Sequence, residues 1–160
     1  MSDAEQKECL SCKSLRGEES LSPGQTIYSG KFWQVEHAYP TSLRGWLVCV
    51  LKRHASALHE LTKEEFIECA EIQHACAKIF RSMLECEKEY VACFAEGVGF
   101  NHIHFHIVAR PKNLSEEARG PKVFTLLGKT AANPVPEKEI KDFCTMLKKE
   151  IGNFFIDKGM

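Results

Sequence analysis

The chain has no run approaching the ~18 apolar residues of a membrane-spanning helix, so no membrane role is expected. It also has no surplus of positive charge: 21 Lys and Arg face 22 Asp and Glu, a net charge of −1 over 160 residues. Domains that bind nucleic acid through a broad electrostatic field are clearly basic, and this one is not expected to. There is no internal repeat and no low-complexity tract. The opening residues Met1 to Glu8 carry no apolar stretch of the kind that starts a secretory signal. A reducing, cytoplasmic compartment is therefore expected, with thiols rather than disulfides. The length suits a single domain over 1–160 that can bury one core. What the chain does hold in quantity is eight cysteines and seven histidines.

Three regions follow from the pattern: a polar N-terminal segment 1–24 ending in the turn signal Ser22-Pro23-Gly24, a core 25–112, and a C-terminal extension 113–160. Thr26–Tyr28 and Phe32–His37 around Ser29-Gly30 read as a hairpin, and Trp46–Leu51 as a buried central strand. Thr62 and Glu65 form a capping box for a long helix whose apolar stripe is read as Phe66, Ile67, Ala70, His74, Ala77, Phe80 and Leu84. Lys88–Ala95 and His102–Ala109 read as strands. Pro136–Phe155 reads as a closing helix with Ile140, Phe143, Cys144, Leu147 and Ile151 on one face. The order β-β-β-α-β-β-α gives an α+β fold with a roughly five-stranded antiparallel sheet, one long helix and a C-terminal helix. Cys49, Cys69, Cys76, Cys86, Cys93 and Cys144 are read as small core hydrophobes.

The informative segment is His102-Ile103-His104-Phe105-His106-Ile107-Val108. Period-2 alternation places the three histidines on one face of a strand and Ile103, Phe105 and Ile107 on the other. Packing alone has no use for three aligned imidazoles. Either they bind one catalytic metal, as a His₃ zinc site does, or one acts as a nucleophile while its neighbours bind an anion. Cys9-x-x-Cys12 is half of a structural zinc set. No second such pair exists, so the other two ligands are histidines or the thiols are free.

The H-φ-H-φ-H-φ-φ pattern at 102–108 resembles the signature of the histidine-triad (HIT) superfamily of nucleotidyl hydrolases and transferases. Gly45-Trp46-Leu47-Val48-Cys49-Val50-Leu51-Lys52-Arg53-His54 is similar to that family's G-H-x-L-V-x-P-K-x-H strand, and the likeness covers about residues 5–112. The resemblance implies a HIT-like fold. It also implies a nucleotide substrate, of phosphoramidate or dinucleoside polyphosphate type, attacked at its α-phosphorus by His104 through a covalent nucleotidyl-histidine. His106 would stabilise the phosphate. Gly97, Gly99 and Asn101 would bind it, and His37, or equally Glu36, would hold the ribose. A base pocket near Phe32 and Trp33 is expected. Members with an N-terminal C-x-x-C imply structural Zn2+ on Cys9, Cys12, His54 and His102, and the family's habit of extending its sheet implies a homodimer. Three positions depart from the pattern: Trp46 replaces a fourth histidine, Leu51 a proline, and Gly99 a residue that assists leaving groups. A zinc-containing nucleotide-binding module with little turnover is the alternative these departures raise.

Overall fold

The computed structural model describes residues 8–157; the polar lead at 1–7 and the last three residues lie outside it. Five strands form one sheet in the order β1-β2-β3-β5-β4, every neighbouring pair antiparallel. They are β1 (Tyr28–Ser29), β2 (Trp33–His37), β3 (Trp46–Leu51), β4 (Cys86–Ala92) and β5 (His104–Pro111). Helix α1 (Leu10–Leu15) precedes the sheet, α2 (Lys63–Met83) joins β3 to β4, and α3 (Glu137–Asp157) closes the chain. Among the described residues no helix is long and apolar enough to cross a membrane.

Register decides which side chains meet. Trp33, Val35 and His37 pair with Leu51, Cys49 and Leu47, and the last two of these pair with Phe105 and Ile107. This set faces the main core, where α2 and α3 cover it. Phe32 and Trp33 are therefore core residues and not a base pocket: Trp33 is fully buried, and its indole N–H donates to the Glu65 carbonyl. On the opposite face Gln34, Val50 and His104 form one row across three strands, and Glu36, Val48 and His106 the next.

Helix α2 starts where its capping box says: Thr62 Oγ1 accepts from Glu65 N, and the Glu65 carboxylate accepts from Thr62 N. Its buried stripe is Cys69, Ile72, Ala75, Cys76, Ile79 and Phe80, which shares only Phe80 with the one read from sequence. Phe66 and Ile67 are 43% and 47% exposed. The small thiols and Ala75 face the sheet and let the helix lie close to it, so cysteine counted for too little in the apolar pattern. In α3 the anticipated stripe is buried as read, joined by Phe155.

The extension divides in two. Residues 113–131 fold as short 3₁₀ turns over the far end of the second face, and α3 packs on the first. The turns build a separate small core in which Val123 and partly buried Phe124, Leu126 and Leu127 surround Trp46 and Val108.

Candidate functional site

Cys9 is the N-cap of α1, and Cys12 follows one turn later on the same side. The helix is docked by Leu10 N–H donating to the Gly99 carbonyl at 2.8 Å. Gly99 has φ +79°, and a Cβ there would stand 2.9 Å from Leu10 Cδ1. A glycine is needed at 99 both for the turn and for the approach of α1. Beyond β3 the chain continues to pair irregularly, with Leu51 N–H donating to Ile103 O and Ile103 N–H to Ala55 O. This sets His54 beside His102, ring centroids 5.1 Å apart. Arg53 secures the same turn by a two-pronged ion pair with buried Glu65 at 2.6 and 2.8 Å.

The four residues converge. His102 Nδ1 lies 3.5 Å from both Cys9 Sγ and Cys12 Sγ, and His54 Nδ1 lies 3.3 Å from Cys12 Sγ. All four potential ligand atoms fall within 4.8 Å of one another. A tetrahedron with Zn–S of ~2.3 Å and Zn–N of ~2.0–2.1 Å has S···N edges of about 3.5 Å, so the donor set fits zinc. The outer nitrogen of His102 donates to Leu51 O at 2.7 Å, which leaves Nδ1 as the lone-pair atom facing the sulfurs. Burial pushes the Cys12 thiol up to about 11. A divalent cation inverts that preference and makes the thiolate the stable form. With four protein ligands the set is closed, hence structural.

β5 begins only at His104, so His102 precedes the strand and its buried ring belongs to the cysteine side. Ile103 still packs into the core, so His102 lies on the same side as His104 and His106, but its Nδ1 faces the cysteines, so it joins the Cys₂His₂ set and not a three-histidine group. Among the described residues the only metal-competent group is the Cys₂His₂ set.

His104 and His106 line a cleft of about 410 Å³. Its floor is the two rows from Gln34 and Glu36 across Val50 and Val48. Ser11, Ser14 and Leu15 of α1 form one wall, and Phe94, Phe100 and Phe124 surround the histidine end. His104 Nδ1–H donates to the His102 carbonyl at 2.6 Å, so Nε2 carries the free lone pair. Burial lowers its pKa, which keeps that lone pair available near neutral pH. His106 is held the other way round: Trp46 Nε1–H donates to its Nδ1 at 3.1 Å, so its proton is on Nε2. Two adjacent rings, centroids 5.0 Å apart, thus offer one acceptor and one donor.

The other anticipated residues divide. Gly97 lines the cleft, whereas Gly99 serves the docking of α1 and Asn101 is exposed outside the lining set. His37 borders the cleft too but is 1% exposed, with Nδ1–H donating to Ala38 O and Nε2 accepting from Gly45 N–H, which leaves neither nitrogen for a ligand. Glu36 on the opposite face enters the cleft. Strand parity could have settled this: apolar Trp33 and Val35 place His37 inward and Glu36 outward.

Burial also gives His37 a measurable consequence, pushing its pKa down to about 4. An unfolded histidine gains its proton near pH ~6.5, so stability supplied by the neutral folded ring falls as pH drops through that window. Across it His37 is worth about 3 kcal/mol. His37→Gln, which cannot titrate, should close most of its stability gap to wild type between pH 7 and pH 4.5 in denaturant titrations. A gap independent of pH would show that His37 titrates ordinarily.

No family model matches the chain, and no curated protein does. Solved structures do. A Zn-bound histidine triad family protein from Mycobacterium smegmatis superposes with a TM-score of 0.67 at 16% identity, covering 97% of this chain and 99% of that one. The chain has the histidine-triad fold. A Hit-like protein involved in cell-cycle regulation from Bartonella henselae matches with a TM-score of 0.66 at 15% identity, over 87% of this chain and 93% of that one. A hypothetical histidine triad nucleotide-binding protein from Sulfolobus tokodaii gives 0.66 at 17% identity, over 91% and 93%. Within this histidine-triad fold, the motif histidines His104 and His106 stand in the cleft and His102 at the metal set.

Proposed function

We propose that this protein is a histidine-triad nucleotidyl hydrolase or transferase with structural zinc on Cys9, Cys12, His54 and His102. The observation that carries the reading is the pair of opposite tautomers, His104 with a free Nε2 and His106 with Nε2–H, at one end of the cleft. Glu36 and Gln34, two strand spacings or about 10 Å away, are placed for ribose hydroxyls while the α-phosphate meets the histidines. His104 Nε2 attacks the α-phosphorus, the bond to the leaving group breaks, and the leaving amine takes a proton from water. His106 donates Nε2–H to a phosphoryl oxygen. The Nδ1–H bond to the His102 carbonyl steadies the cationic ring of the nucleotidyl-histidine. Water then attacks phosphorus, breaks the P–N bond to His104 and releases the nucleotide; another acceptor makes the reaction a transfer. Gly97 borders the phosphate end.

Charge favours one substrate class. Glu36 and Glu96 line the cleft, and among the described residues no Lys or Arg does. Both histidines are held neutral by burial. A polyphosphate chain would find no counter-charge here, whereas a phosphoramidate brings one negative charge. Release of nucleotide should be at least ~10-fold more efficient, by kcat/KM, from an adenosine or guanosine phosphoramidate than from a dinucleoside polyphosphate. Nucleotide binding without release from any member of such a panel would leave only the binding-module reading. A homodimer through the outer edge of β4 and residence in the cytoplasm, where buried free thiols persist, complete the proposal.

A further inference from the structure

Trp46 stands where the resembled motif has a fourth histidine, and the mechanism above uses only its hydrogen bond to His106, without asking what that bond controls. Its side chain is fully buried at the diagonal position to His106, on the cleft side of the sheet. It is wedged among Val108, Val123, Leu43 and Ala38. Phe124 meets its ring edge-on at 5.2 Å and the His106 ring at 5.0 Å, so one aromatic from the C-terminal extension braces both.

We propose that Trp46 is a positioning residue that locks His106 in the single tautomer presenting Nε2–H to the cleft. The argument rests on donor chemistry. An indole N–H can only donate, so the nitrogen facing it must be unprotonated. A histidine at position 46 could donate or accept and would leave the partner ring free to choose. Tryptophan removes the choice, because an Nδ1–H on His106 would put two hydrogens face to face across 3.1 Å in a buried setting. The tautomer so excluded is the one that would aim a lone pair at an anionic phosphoryl oxygen. The departure at position 46 therefore strengthens the donor instead of disabling the site. Residues 113–131 gain a function too, since Phe124 holds the indole at its bonding distance. The catalytic part of the proposal rests on the function proposed above; the tautomer itself does not.

The test is long-range ¹H–¹⁵N spectroscopy of the full-length, zinc-loaded, ¹⁵N-labelled protein, together with steady-state kinetics. Wild-type His106 is expected to show protonated Nε2, bare Nδ1, and a coupling across the hydrogen bond from Trp46 Nε1 to that Nδ1. Wild-type His106 with Nδ1–H, or with two tautomers in exchange, overturns the proposal whatever any variant does. Trp46→Phe should lose the single tautomer and lower kcat about 10-fold or more, less than the ~10²–10³ of deleting a charge-stabilising donor outright. KM should stay within about threefold, since ground-state binding is not what the donor supplies. Trp46→His should regain part of the kcat. Trp46→Phe with the tautomer and kcat of wild type would reduce Trp46 to packing and overturn the proposal. If Trp46→Phe does not fold, the wild-type spectrum decides alone. If wild type releases no nucleotide, the spectrum still decides this inference while the function proposed above fails separately.

Discussion

His104→Ala is expected to abolish nucleotide release while leaving the metal content at one ion per chain. On the function proposed above, His104 is the one group that no neighbour replaces: His106 has its only free lone pair turned toward Trp46, and among the described residues no cysteine lines the cleft. Loss of a covalent nucleophile costs about 10⁴-fold or more in kcat, or roughly 5.5 kcal/mol of transition-state stabilisation. Nucleotide affinity should change little, because Gln34, Glu36 and the α1 wall remain. Mass spectrometry of wild type quenched during turnover should find a nucleotidyl adduct on His104, and the variant should show none. Since the hydrogen bond that joins His104 to the metal set is to the His102 backbone carbonyl and not to a ligand atom, loss of zinc from His104→Ala would mean that structure and chemistry are not divided between the two histidines.

Cys12→Ser is expected to produce the complementary outcome. Cys12 Sγ approaches both His54 and His102, so its loss removes the sulfur that ties the two imidazoles together. Zinc per chain should fall well below one. The thermal midpoint should drop by roughly 10 °C, as expected for a few kcal/mol in a domain of this size. The effect reaches the cleft because α1 is a six-residue helix held by the metal set and by the contact of Leu10 with Gly99. When it detaches, the wall of Ser11, Ser14 and Leu15 goes with it, and nucleotide affinity should weaken about 10-fold, or ~1.4 kcal/mol. A chelator should reproduce these changes in wild type and add nothing to the variant. Full zinc occupancy in Cys12→Ser would remove Cys12 from the ligand set.

Elements with strong local chemistry were legible in the sequence, and those defined by distant contacts were not. Trp46–Leu51 is legible to the residue because a short continuous apolar run following a glycine has few other uses. The Thr62 and Glu65 box located the start of α2 because both of its bonds lie within one turn. The metal set came from the resemblance, on residues 93 positions apart in the case of Cys9 and His102, and the folded chain brings them together. Helix α1 was missed: six residues cannot display periodicity, and its stability comes from docking. The bond from Trp46 to His106 leaves no sequence signal at all, since it depends on the diagonal between two strands and on a bracing turn from the extension.

The metal set has an energetic meaning beyond its ligands. An ion on Cys9 and His102 joins positions 93 residues apart and so closes a loop around most of the sheet. A cross-link over such a loop removes denatured-state entropy worth about 4–5 kcal/mol by the chain-closure relation. That is a large share of the ~5–15 kcal/mol that holds a typical domain together. Unlike a disulfide, this link is reversible and depends on free metal concentration. The population of chains with a finished cleft wall should therefore follow the zinc available when the protein folds. The two cysteines nearest the start of the chain act on its global conformational balance as well as on its local shape.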